Sequence, residues 1–162
     1  VVLKAIRRII NKHSEFEYKF VFTGEQKDYR NPEYYEQIVQ FFDDLKLERY
    51  VCNLGFIDRK EQLAIMKNAK FIIQPSLFEG WGTVLEDAKV FDKTVLLSDI
   101  PVHREQKNDK CILFDPLNEN ILARLIVKYA NDQDLKDSVD LGLKNLDLSA
   151  KEYSKNLEVV FD

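Results

Sequence analysis

A doubly wound parallel α/β sheet, Rossmann-like and with helices on both faces, is the fold class this sequence predicts. Three observations predict it. Short apolar runs alternate with amphipathic segments five times over, the rhythm of successive β-α units. Runs such as Phe71-Ile72-Ile73 and Thr94-Val95-Leu96-Leu97-Ser98 read as buried strands rather than as half-exposed ones. Between the first of these and the helical pattern after it sits a loop with two glycines and an acid, and the crevice at the carboxyl ends of strands is where open α/β sheets place ligands.

Each element has its own local signals. Residues 1–14 read as an amphipathic helix. Val2, Ala5, Ile6, Ile9 and Ile10 form one stripe, and Lys4, Arg7, Arg8 and Lys12 lie mostly on the other side, expected to be a solvated face. Tyr18-Lys19-Phe20-Val21-Phe22-Thr23-Gly24 is a strand ending in a glycine turn. A polar loop leads to Asn31-Pro32, the N-cap and first position of a helix whose stripe is Tyr34, Tyr35, Ile38, Val39, Phe41, Phe42 and Leu45. That stripe is expected in the core. Tyr50-Val51-Cys52-Asn53-Leu54-Gly55-Phe56-Ile57 is the next strand and its exit. Asp58 and Glu61 then have the spacing of a capping box for a helix using Leu63, Met66 and Ala69.

After the central turn, Val84, Leu85, Ala88 and Phe91 recur at helical spacing. Pro101 suits the start of a short helix carrying His103, Arg104 and Glu105. Ser98, Asp99 and His103 are the residue types of a hydrolytic triad, but the Gly-x-Ser-x-Gly elbow is absent and the triad is rejected. Cys111-Ile112-Leu113-Phe114 is the last strand expected. Asn118 caps a helix through Ile121, Leu122, Leu125, Ile126 and Tyr129. Two further helices, over residues 135–146 and 149–161, are expected to finish the chain.

Composition narrows the function classes. The 162 residues fit one domain, with 45% hydrophobic content for a core. A net charge of -4, with lysines and arginines dispersed among acids, argues against nucleic acid as a partner. No apolar run is long enough to span a membrane, and no signal peptide is visible. Cys52 and Cys111 fall in apolar runs and read as reduced core thiols, which suggests a cytoplasmic protein. His13 and His103 lack partner spacing, and no Asp-x-Asp pair is placed for a metal, so neither metal nor cofactor is expected. The chain lacks an initial Met and opens inside a helical pattern, so it is expected to be part of a longer protein.

The candidate site is the turn from Gln74 to Ala88. Gly80 and Gly82 remove side chains, so the backbone can turn and approach a ligand closely. A helix starting near Gly82 or Thr83 points its free N–H groups and positive dipole end at the loop, an arrangement suited to a phosphate. Thr83 and Asp87, four residues apart, share a helix face. A ligand anchored by phosphate near Thr83 would offer a sugar hydroxyl to Asp87, with Glu79 facing its other end.

The stretch Pro75-Ser76-Leu77-Phe78-Glu79-Gly80-Trp81-Gly82, followed by Asp87 and then Ser98-Asp99-Ile100-Pro101-Val102-His103-Arg104-Glu105, resembles the C-terminal, donor-binding domain of GT-B glycosyltransferases, and family 4 in particular. That resemblance implies a pair of acids with seven residues between them, the first holding the donor sugar and the second the nucleotide ribose. The first falls on Glu79, as the catalytic acid. The second falls on Asp87 where the family has a glutamate, with Glu86 as the alternative. Gly80, Trp81, Gly82 and Thr83 would line the phosphate end. Gly24 would pass close to the diphosphate, or serve as a plain turn glycine. Phe56 and Ile57 would lie beside the base, with core packing as their competing role.

The same resemblance implies a nucleotide-sugar substrate, retaining transfer, and an N-terminal acceptor domain in the parent chain. It also admits peripheral membrane association of that parent and a place in polysaccharide biosynthesis. It implies a first strand and a basic loop ahead of residue 1, with that strand in the middle of the sheet. Two other readings stay open, the half of a sugar-nucleotide 2-epimerase and a non-catalytic Rossmann-like module.

Overall fold

The computed structural model describes residues 1–25, 36, 38–40, 47, 49–132 and, as backbone, 157–161. Its elements run α1 (Val2–Lys12), β1 (Lys19–Thr23), β2 (Val51–Gly55), α2 (Arg59–Asn68), β3 (Phe71–Gln74), α3 (Thr83–Val90), β4 (Val95–Ser98), α4 (Pro101–Gln106), β5 (Cys111–Phe114), α5 (Glu119–Ala130) and β6 (Leu157–Phe161). The strands form one sheet in the order β2-β1-β6-β3-β4-β5, and every pairing is parallel.

Strand periodicity sorts the core into two layers. Phe71, Ile73, Leu96 and Phe114 face α1 and α5, which pack against each other and contribute Ala5, Ile6, Ile9, Leu122 and Ile126. Ile72, Val95 and Leu97 point the other way, onto Met66 of α2 and Val84, Leu85 and Ala88 of α3. β3 and β4 are buried at every position, as central parallel strands covered on both faces must be. The fold class read from the sequence is the fold observed.

The C-terminus differs from its expectation. Residues 149–161 read as helix, yet residues 157–161 form β6 in the middle of the sheet, between β1 and β3. Leu157-Glu158-Val159-Val160-Phe161 is rich in β-branched and aromatic residues, which suit a pleated strand better than a helix. The slot also supplies ladder hydrogen bonds on two sides, an override no local periodicity reports. The central place, which the resemblance assigns to a strand ahead of residue 1, is here occupied by β6. Glu36 and residues 38–40 are helical. The Asn31-Pro32 cap, most of the aromatic stripe after it and the helix over residues 135–146 lie outside the described residues.

The capping box holds as read. Asp58 Oδ1 accepts from the N–H groups of Lys60 (2.7 Å) and Glu61 (3.0 Å), and Glu61 reaches back to the Asp58 amide at 3.4 Å. Asp58→Ala is expected to cost about 1 kcal/mol of unfolding free energy in a urea titration. An unchanged midpoint would show that the cap contributes nothing.

Candidate functional site

β3 delivers Gln74 to the carboxyl edge of the sheet, and residues 75–82 make the turn into α3. Gly82 is the N-cap of α3, and no side chain caps the helix. The first-turn N–H groups of α3 are thus left without a side-chain acceptor, at the positive end of the helix dipole. Gly82 and Gly80 both keep ordinary negative-side backbone angles; among the described glycines only Gly24 (φ 131°) and Gly55 (φ 64°) need positive φ. What demands a glycine at position 82 is space. A Cβ there would stand 2.7 Å from Glu79 Oε2 and 3.2 Å from Gln106 Oε1. Gly80, by contrast, looks onto open space, with nothing within 4 Å of where a Cβ would sit.

Glu79 is folded inward, its side chain only 15% exposed. Oε1 accepts a short hydrogen bond from Gln74 Nε2, and Oε2 lies 3.3 Å from His103 Nε2. Burial pushes this carboxyl up, but hydrogen bonds from Ser76, Gln74 and His103, with the charge of His103, outweigh it and hold the group below the usual glutamate range. It is not a solvated loop acid.

The two acids of α3 diverge. Glu86 turns toward α4, accepting from Lys89 Nζ at 2.8 Å and Gln106 Nε2 at 2.9 Å. The Lys89 hydrogen bond sets its carboxyl low; desolvation opposes it, and the Gln106 hydrogen bond and the Lys89 charge add to the lowering. Asp87 turns toward α2, where Arg59 Nη2 donates to both of its oxygens at 2.6 and 2.5 Å. Gln106 also receives the Gly82 amide at 3.0 Å, so it ties the turn to Glu86. The structure thus links Gly82 and Glu86 through the Gln106 amide, keeps Glu79 close to Gly82, and places Asp87 on the neighbouring flank of the same helix.

Thr83 and Trp81 are exposed, Trp81 to 61%. Gly24 and Gly55 meet at the ends of β1 and β2, where the Gly24 amide donates to the Gly55 carbonyl at 2.9 Å. Phe56, whose competing role was core packing, is 78% exposed, because β2 ends at Gly55 and the chain turns outward there. Ile57 is half-buried. Both lie at the carboxyl edge, separated from the β3 turn by β1 and β6. Cys52 and Cys111 are free and only half-buried, on the two outermost strands.

Four contributors went unread in the sequence. Gln74 carried a signal, an amide closing an apolar strand. His103 is considered there as a triad member and as a metal ligand and rejected as both, not as a partner of Glu79. Gln106 and Arg59 carried none, since each meets its partner only through tertiary packing. The Ser98-Asp99-His103 triad is not assembled: Ser98 Oγ lies 3.0 Å from His103 Nδ1 but donates its hydrogen to the Ser76 carbonyl at 2.6 Å, and Asp99 is paired with Arg104.

An open parallel sheet with a glycine turn, a tucked acid and an uncapped helix at its carboxyl edge defines a Rossmann-like domain whose candidate site lies at the strand ends. The family model for group 1 glycosyl transferases matches residues 1–146, and the chain belongs to that family. No curated protein matches it. The matched span contains the whole turn, α3 and α4; β6 lies beyond it. Among the described residues no helix is long and apolar enough to cross a membrane.

Proposed function

We propose that this domain binds the nucleotide-activated sugar for a retaining glycosyltransferase of the GT-B, family 4 kind. The observation that carries the reading is the β3–α3 turn, open over Gly80, with Glu79 drawn under Gly82 and the α3 N-terminus uncapped. In this reading the first-turn amides of α3 receive the diphosphate, with Gly82 and Thr83 at its edge. Glu79 holds the sugar, and Asp87 the ribose. Stabilising the leaving diphosphate is the electrostatic work such transfer requires, and an oriented helix end supplies part of it without reorganisation. Arg59, seated on Asp87, puts a cation at the same edge.

The acceptor belongs to a partner domain of the parent chain, across the cleft. The 162 residues alone bind donor weakly and do not turn it over. The substrate is the nucleotide sugar itself, with no metal, in the cytoplasm.

Calorimetric titration of UDP-, GDP- and ADP-sugars tests the reading, with Asp87→Ala beside wild type. One of the three is expected to bind wild type, and Asp87→Ala to weaken that binding about tenfold, the loss of a hydrogen bond to a charged group. Equal heats for the two proteins would remove Asp87 from the site.

A further inference from the structure

The geometry points to His103 as the positioning residue of Glu79, pinning its carboxylate through one proton held between His103 Nε2 and Glu79 Oε2. His103 is the third residue of α4 and is fully buried. Its Nδ1 lies 2.8 Å from the Ser98 carbonyl oxygen and 3.0 Å from Ser98 Oγ. A carbonyl oxygen only accepts, so Nδ1 carries the hydrogen. Ser98 Oγ cannot reverse that assignment, because its own hydrogen goes to the Ser76 carbonyl at 2.6 Å.

The other ring nitrogen is then the informative one. Nε2 and Glu79 Oε2 are both buried, have no other hydrogen-bond partner, and stand 3.3 Å apart. Two bare lone pairs at that distance, away from water, repel. A single proton between them turns the repulsion into a charge-assisted hydrogen bond.

The surroundings leave this proton no rival. Otherwise Glu79 meets only neutral donors, the Gln74 amide at Oε1 and the Ser76 hydroxyl. The nearby charges are committed elsewhere, Lys89 to Glu86 and Arg104 to Asp99. Among the described residues no lysine or arginine pairs with Glu79. The depressed Glu79 carboxyl agrees with a positive partner. The consequence is positional: with Oε2 held inward against His103 and under Gly82, Oε1 is the oxygen left to turn toward a ligand.

This inference deepens the donor-site reading and rests on it for its functional consequence, but its first test needs no ligand. In the ligand-free chain at neutral pH, ring nitrogen shifts of His103 and the carboxyl carbon shift of Glu79 locate the proton. The expected result is a protonated Nε2 beside an ionised carboxylate. A bare Nε2 would overturn the proposal. Glu79→Gln should shift the His103 ring nitrogens, and an unmoved ring signal would also overturn it.

The second test uses nucleotide-sugar titration. His103→Leu should weaken binding about tenfold to a hundredfold, as loss of a charge-assisted hydrogen bond does. His103→Gln, whose amide places a donor near Nε2, should restore most of it. If both variants fold, as their amide spectra report, and bind equally, His103 is no more than core packing. Failure of wild type to bind any nucleotide sugar would count against the donor-site reading alone, since the proton is located without ligand.

Discussion

Gly82→Ala is expected to abolish donor binding while leaving the fold in place. The new methyl would sit 2.7 Å from Glu79 Oε2, well inside contact distance. The backbone itself accepts alanine, with φ at -77°. The cheapest relief is therefore to expel the Glu79 carboxylate from its pocket, which separates it from His103 and loosens Gln106. Overpacking of this kind costs about 1–3 kcal/mol, and the lower end applies because the displaced atoms end a side chain rather than belong to backbone. Binding should fall more than tenfold, since both the acid and the helix entrance move. Gly80→Ala is the matched control. It meets open space and should change stability by less than about 0.5 kcal/mol. Equal effects of the two substitutions on binding would mean that close packing around Glu79 is irrelevant to the site.

Glu79→Gln should show its largest effect in the pH dependence of stability. The Glu79 carboxyl lies below its ordinary range in the folded chain: burial raises it, and the hydrogen bonds from Ser76, Gln74 and His103 more than offset that. A group depressed on folding contributes stability that is fully present above its unfolded value. That contribution is lost as pH falls through the folded one. Wild type should therefore lose stability on acidification below the ordinary glutamate range, and Glu79→Gln should lose less over the same interval. Near neutral pH the substitution should cost about 1–3 kcal/mol, because it removes the charge that answers His103 and exchanges an acceptor for an amide. Parallel pH profiles from denaturant titrations of the two proteins would show that Glu79 gains nothing from its pocket.

The layered sheet was legible because it rests on periodicity. Val2, Ala5, Ile6 and Ile9 are buried as their spacing requires, and Phe71 to Ile73 form a strand covered on both faces. Caps were legible because they are local, at Asp58, Pro101 and Asn118. The turn from Glu79 to Thr83 was legible as a candidate site, from two glycines and an acid between a strand and a helix. The orientation of its acid was not, because nothing near position 79 encodes a histidine on another helix. Asp87 shows the same limit. Its place on the helix follows from spacing, but its pairing with Arg59 depends on α2 and α3 lying side by side. β6 was missed for a related reason. A short apolar segment becomes a strand when a sheet offers it a slot, and the slot is made by residues far away in sequence.

The most direct measurement is residue-resolved amide NMR of the chain during titration with UDP-, GDP- and ADP-sugars. The account predicts that one of them shifts the amides of Gly80, Gly82 and Thr83 saturably, together with the Glu79 side-chain carboxyl. Shifts confined to other surfaces, or none at millimolar ligand, would contradict it.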